Sequence, residues 1–312
     1  MSDIRKEREG TGTVDGLFYE VLRPGPAADA AEAIESDAPV LLALPGFLSD
    51  GRQLKRLLRE VGRRCVVVDP IGAGRSQAAS DASDYEWPRQ VQRLLRVLDH
   101  LQLTRVDAVG VSMGGMWLQH ALWTAPQRFA HTVFVASAAA LSPRQRSILF
   151  GLQALWQSGV RRLDVWRVLA PLLFSVEFLE RPSAIAMLEM LASDPRSHSA
   201  EAEDGRQVPL LQLGAMLQHD LRQSLGDAQA AGALAATART VIGCELDTLM
   251  SLSSQRELAA CLAAELHMLP AVGHTVWLEQ PSLLADLLRR VLRGVPGAEK
   301  RSSQLTAGPG SG

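Results

Sequence analysis

Cysteine is scarce in this chain of 312 residues: Cys65, Cys244 and Cys261 form an odd, widely spaced set. That spacing excludes a disulfide framework and fits reduced thiols in a cytoplasmic protein. No Cys/His cluster has the spacing of zinc ligands, so neither a metal nor another cofactor is expected. Charge of one sign is lacking too. The 32 Lys and Arg nearly balance the 34 Asp and Glu, for a formal net charge of -2. Such a balance gives no reason to expect nucleic acid or an anionic membrane as a partner. No apolar run is long enough to span a bilayer. The first residues, Met1 to Glu7, are charged and lack the apolar stretch of a signal peptide. What remains is 47% hydrophobic and 21% charged, ordinary for a globular protein with a sizeable core. The length allows one large α/β domain, or such a core carrying an inserted subdomain.

Short apolar runs and helical spacings alternate through the first half of the chain. Leu17, Tyr19 and Val21 alternate as in a hairpin strand. Pro24 to Ala38 reads as a surface loop. Val40–Leu44, Cys65–Asp69 and Thr132–Ser137 read as buried strands. Leu54–Val61 and Trp87–Leu101 have amphipathic helical spacing. From about Ala139 to Ala236 the strand pattern stops. Helical segments follow at Ile148–Trp156, Val165–Phe174, Pro182–Leu191 and Leu210–Leu221, with a polar break at Asp194–Gly205. Strands return at Thr240–Cys244 and Glu265–Pro270, with helices at Ser254–Ala263 and Ser282–Leu292. Strand and helix in alternation specify a parallel sheet whose ligands gather at the carboxyl ends of the strands.

One stretch organises the rest. Val106, Ala108, Val109 and Val111 make a buried strand that ends in Gly110-Val111-Ser112-Met113-Gly114. Helical spacing resumes at Trp117, Leu118, Ala121 and Leu122. Ser112 therefore stands at a sharp bend that requires small residues two before and two after it. The bend lifts its oxygen to a helix N-terminus, which favours developing negative charge. This strand, G-x-S-x-G turn and helix resemble the nucleophile elbow of the α/β-hydrolase superfamily. With the stretches that match in the same order, the resemblance covers about residues 38–140 and 238–292.

The resemblance implies an α/β-hydrolase fold: a mostly parallel central sheet flanked by helices, with an inserted all-helical cap. The expected organisation is a core of residues 1–138 and 237–294, a cap over 139–236 and a disordered tail over 295–312. It also implies a triad in the order Ser112, Asp247, His274. A serine hydroxyl needs a base, and the base needs a carboxylate to fix its tautomer. Asp247 follows a strand by a short loop, although Thr248 stands where proline is usual; Glu245, two residues earlier, is the rival acid. His274 sits in a Gly-His turn, a context that the six other histidines lack.

Pro45-Gly46-Phe47 takes the place of the superfamily's His-Gly loop. It leaves the Phe47 N–H, with that of Met113, to hold an oxyanion. Asp69-Pro70-Ile71-Gly72-Ala73-Gly74-Arg75-Ser76 resembles a structural turn, which argues against a chemical role for Asp69. Phe150, Trp156, Trp166, Phe174 and Phe178 are candidates for an apolar acyl or aryl pocket, of which Trp156, Trp166 and Phe174 are preferred.

The expected activity is hydrolysis of a carboxylic ester, thioester or lactone of a hydrophobic small molecule through an acyl-enzyme. A C–C bond hydrolase, an acyltransferase, a cofactor-free haloperoxidase-like enzyme and a non-catalytic receptor of the same fold are alternatives. A receptor has no need of all three triad members. A dehalogenase or epoxide hydrolase would carry aspartate at the elbow.

Overall fold

The computed structural model describes residues 10–23, 38–79, 81–193 and 207–293. The loop expected at 24–38 (except Ala38), the polar break at 194–205 and the tail at 295–312 lie outside the described residues. Strands β1 (Thr11–Val14) and β2 (Leu17–Leu22) form a hairpin. Its two turn residues, Asp15 and Gly16, both have positive φ, at 49° and 82°, the geometry that matches the twist of the flanking strands. Strand β3 (Leu41–Leu44), helix α1 (Gly51–Val61), strand β4 (Cys65–Val68) and helix α2 (Trp87–His100) follow. Next come strand β5 (Val106–Val111), helix α3 (Met113–Thr124) and strand β6 (Phe129–Val135).

A run of helices comes after β6: α4 (Pro143–Gln157), α5 (Arg162–Leu173), α6 (Val176–Leu179), α7 (Pro182–Ser193), α8 (Gln207–Leu217) and α9 (Arg222–Ala230). The chain then adds strand β7 (Ala238–Cys244), helix α10 (Leu252–Leu262), strand β8 (Glu265–Leu269), and helices α11 (Val276–Glu279) and α12 (Pro281–Leu292).

The eight strands form one sheet in the order β1-β2-β4-β3-β5-β6-β7-β8. The hairpin is antiparallel and joins antiparallel to β4; every other pairing is parallel. Alternation within the strands divides the core in two. In β3, Leu42 and Leu44 face one side with α2 and α3, while Leu41 and Ala43 face the other with α1 and α12. Helix α1 shows how little is needed to specify such an element. Leu54, Leu57, Leu58 and Val61 form its buried face, each worth roughly 1.5–3 kcal/mol of burial. The Asp50 carboxylate caps its start by accepting from Arg52 N at 2.8 Å, and Gly62 ends it at φ 74°.

The run from α4 to α9 is stitched to the sheet core through buried polar contacts. Ala140 and Asp220 form an isolated antiparallel bridge. His219 Nε2 is 2.9 Å from the Ala138 carbonyl, and its Nδ1 is 3.1 Å from His120 Nε2 on α3. Burial pushes both imidazoles down, to about 4 and about 3, so the pair is uncharged at neutral pH. No helix among the described residues is long and apolar enough to cross a membrane.

Candidate active site

The carboxyl end of β5 breaks into α3 at Ser112, whose backbone sits at φ 53° and ψ -118°. A non-glycine residue there is strained, and the neighbours must hold it. Ser112 N donates to Val135 O at 2.9 Å. Its carbonyl accepts from Gly115 N at 2.9 Å, Met116 N at 3.2 Å and Ser137 Oγ at 3.0 Å. Ser137 is backed in turn by the buried amide of Gln119 at 3.3 Å. The two glycines of the turn are there for contact. A Cβ on Gly110 would strike the Gly114 carbonyl, and one on Gly114 would strike the carbonyls of Leu44 and Pro45.

His274 follows β8 and reaches back over this bend. Its Nε2 is 2.9 Å from Ser112 Oγ and its Nδ1 is 2.8 Å from Asp247 Oδ2. Asp247 leaves the end of β7. Its other oxygen, Oδ1, accepts from Leu249 N at 2.9 Å and Met250 N at 2.7 Å. Those two bonds orient the carboxylate and satisfy a group that burial would otherwise penalise. Ser112, Asp247 and His274 are all buried. Glu245 does not join them: it is exposed, and its carboxylate accepts from Ala271 N at 3.2 Å. Asp69 lies in another place, accepting from Gly51 N at 2.7 Å and Arg75 N at 2.9 Å. It ties the turn after β4 to the start of α1, and burial pushes its carboxyl up to about 6.

Gly46 lies against Ser112, so close that a Cβ there would come within 3.2 Å of Ser112 Cβ. The loop after β3 therefore carries Phe47 to the edge of the serine. Met113 N–H is the first of α3, a position with no acceptor inside the helix. Among the described residues, neither Phe47 N–H nor Met113 N–H has a hydrogen-bond partner.

A cavity of about 40 Å³ opens beside Ser112 and His274. Its walls are mostly apolar: Phe47, Leu152, Trp166, Leu169, Leu173 and Trp277 among them, with Ser49, Gln53 and Thr275 as polar points. Of the five aromatic residues singled out in the sequence, only Trp166 is on the wall. Leu149, Leu152 and Trp156 share the buried face of α4, which turns Phe150 outward to 55% exposure. Trp156 sits outside the lining and meets the edge of Phe47, with ring centroids 6.5 Å apart. Phe174 also sits outside it, stacked on Phe178 at 5.1 Å. Leu169 and Leu173, one turn apart on α5, take the places expected of aromatic rings. Among the described residues, no group of His, Cys, Asp and Glu is arranged to hold a metal ion.

Residues 40–287 match the family described as the Alpha/beta hydrolase family. A Bacillus subtilis (strain 168) protein named as a 2-succinyl-6-hydroxy-2,4-cyclohexadiene-1-carboxylate synthase is 30% identical over 129 residues. That match covers 41% of this chain and 43% of the relative, so the chain spans less than half of that protein's length. A Caulobacter segnis protein named as the carbamate hydrolase RutD is 25% identical over 293 residues, 91% of this chain and 99% of the relative. Two solved structures share the fold. MGS-M2, an alpha/beta hydrolase from a Medee basin deep-sea metagenome library, superposes with TM-score 0.75 at 19% identity, covering 91% of this chain and 96% of that one. The enol-lactonase of Burkholderia xenovorans LB400 gives 0.72 at 17% identity, covering 91% and 99%. At these identities the likeness of structure establishes the fold alone.

Proposed function

The chain belongs to the alpha/beta hydrolase family, and we propose that within it this protein is a serine hydrolase of a neutral, hydrophobic carboxylic ester, thioester or lactone. The observation that carries this reading is the unbroken pair of hydrogen bonds from Asp247 through His274 to Ser112 at the edge of an apolar cavity. In the proposed reaction Ser112 Oγ attacks the acyl carbon while His274 Nε2 takes its proton. Asp247 holds the imidazole in the required tautomer and stabilises the imidazolium. The N–H groups of Phe47 and Met113 receive the charge that develops on the carbonyl oxygen. His274 returns the proton to the leaving alkoxide or thiolate, which leaves the acyl group on Ser112. A water deprotonated by His274 then releases the acid and restores the serine.

Neutrality of the substrate follows from the walls. Apart from His274, none of the described residues lining the cavity has an acidic or basic side chain. A carboxylate on the substrate would find no cation there and would lose its hydration. The helices α4 to α8 act as a cap in this reading, because Leu149, Leu152, Trp166, Leu169, Leu173 and Met216 supply one side of the cavity. At about 40 Å³ the enclosed space holds about three water molecules, less than a whole ester with its leaving group needs. The cap must therefore shift to admit the acyl group and close on it afterwards.

A p-nitrophenyl ester series from acetate to hexanoate tests the reading. Each methylene transferred to an apolar wall is worth ~0.8 kcal/mol, about fourfold. From acetate to butyrate kcat/KM should therefore rise by more than about tenfold. A flat profile would mean that the apolar walls do not receive the acyl chain.

A further inference from the structure

Glu279 is a buried carboxylate, and Arg181 is the cation that acts on it, from beyond ion-pair distance. Three donors converge on it instead. Oε1 accepts from Gly273 N at 3.1 Å and from Ser175 N at 3.2 Å, and Oε2 accepts from Ser175 Oγ at 2.7 Å. Gly273 immediately precedes His274. Ser175 lies between α5 and α6, and its Oγ also accepts from Phe178 N at 3.2 Å to cap α6. One carboxylate therefore holds the base loop with one oxygen and the helical insert with both.

The surrounding contacts point the same way. Helix α5 ends at Leu173, so its last carbonyls lack partners inside the helix. Leu173 O is taken by Thr275, whose N donates at 2.9 Å and whose Oγ1 donates at 3.0 Å. Leu172 O is taken by Thr248 Oγ1 at 3.2 Å. Thr275 and Thr248 are thus bound directly to one short segment, Leu172 to Ser175, and Gly273 is bound to it through Glu279. Gly273 also needs no side chain for a reason that has nothing to do with φ. A Cβ there would come within 2.6 Å of Glu279 Oε1, 2.7 Å of Ser175 N and 2.8 Å of the Phe174 carbonyl carbon.

We propose that Glu279 is a positioning residue for His274, acting through Gly273, and that its grip on Ser175 makes seating of the helical insert a condition for alignment of the base. The insert that shapes the cavity would then also set the reach of His274 Nε2 to Ser112 Oγ. When the insert lifts to admit substrate, the base loop loses Ser175 and Leu173 together. When it closes, the three donors on Glu279 draw the loop back. The carboxylate suits this task because all three partners are donors and none needs an acceptor. This inference rests on the hydrolase reading above.

The test uses the full-length chain with p-nitrophenyl butyrate, and a fluorophosphonate probe for labelling. Misplacing a reacting group by about 1 Å can cost about 100-fold, and Glu279→Ala should lower kcat by about that factor while KM stays within about threefold. Glu279→Gln should recover kcat to within about fivefold of wild type. Its amide oxygen can still accept from both N–H groups, and Ser175 Oγ has a second lone pair for the new NH₂. Ser175→Ala, which leaves the Gly273 contact and the main-chain N–H bond of residue 175 in place, should lower kcat by about tenfold as the shorter bond to the insert is lost.

Unchanged kcat in a folded Glu279→Ala protein would overturn the positioning role. So would equal damage from Glu279→Ala and Glu279→Gln, which would point to the charge and not to the hydrogen bonds. Unchanged kcat in Ser175→Ala would overturn the coupling to the insert, and it decides the matter if Glu279→Ala does not fold. A wild-type protein that neither turns over the ester nor takes the probe would overturn the hydrolase reading, and this inference with it. An active, labelled wild type with active variants overturns this inference alone.

Discussion

Replacing Asp247 by asparagine should lower kcat about 10⁴-fold, as loss of the orienting acid does in a serine triad. The local geometry explains why an isosteric change should be so damaging. Oδ1 of Asp247 is fixed by the N–H groups of Leu249 and Met250, at 2.9 and 2.7 Å. An asparagine must keep its carbonyl oxygen at that position, since an NH₂ there would face two donors. Its NH₂ then falls where Oδ2 now stands, 2.8 Å from His274 Nδ1. That nitrogen would have to accept, and the ring proton would move to Nε2, where it blocks deprotonation of Ser112. Glu245→Gln is the control. Glu245 is exposed and bonded to Ala271 N, so its neutralisation should leave kcat close to wild type. Steady-state kinetics of the two variants on p-nitrophenyl butyrate separate the candidates. Greater damage from Glu245→Gln would move the acid to that residue.

Gly114→Ala should act mainly on stability. The added methyl would run into the carbonyls of Leu44 and Pro45, which belong to β3 and the loop after it and cannot rotate away as a side chain would. Overpacking of this kind costs about 3 kcal/mol at the upper end of its usual range, equivalent to a fall in Tm of about 6–12 °C for a large domain. The same displacement would push the Phe47 loop away from Ser112 and lower activity as well. Thermal unfolding followed by circular dichroism measures the effect. A Tm equal to that of wild type would show that the elbow tolerates a side chain at this position.

Both predictions concern parts of the chain that were legible in the sequence. The strands around the elbow carry their pattern locally, as short apolar runs, of which β4 and β5 are rich in valine. The order serine, acid, histidine could be read from three short contexts. The cap was harder. Its helices could be seen, but the residues that face the cavity depend on the rotation of each helix against the sheet. Aromatic size was therefore a poor guide. Phe150 is turned outward by the phase that buries Leu149 and Leu152, and aliphatic Leu169 and Leu173 form the wall beside Trp166. Helix α9, Arg222–Ala230, gave no signal because Leu225 is its one buried residue. The role of Glu279 also stayed hidden. Glu279-Gln280-Pro281 reads as a helix start, whereas the partners of its carboxylate, Gly273 and Ser175, are six and 104 residues away. Only the packing of the insert on the histidine loop brings those groups together.

The central claim is that Ser112 is a nucleophile activated by His274. Intact-mass and peptide-mass analysis after treatment with a fluorophosphonate tests it most directly, because an activated serine oxygen displaces fluoride from the probe and keeps the phosphonyl group, whose position the peptide mass gives. One adduct per chain, on Ser112, is the predicted result, with none in Ser112→Ala and greatly slowed labelling in His274→Ala. Labelling that persists in Ser112→Ala, or a wild-type protein that takes up no probe, would contradict it.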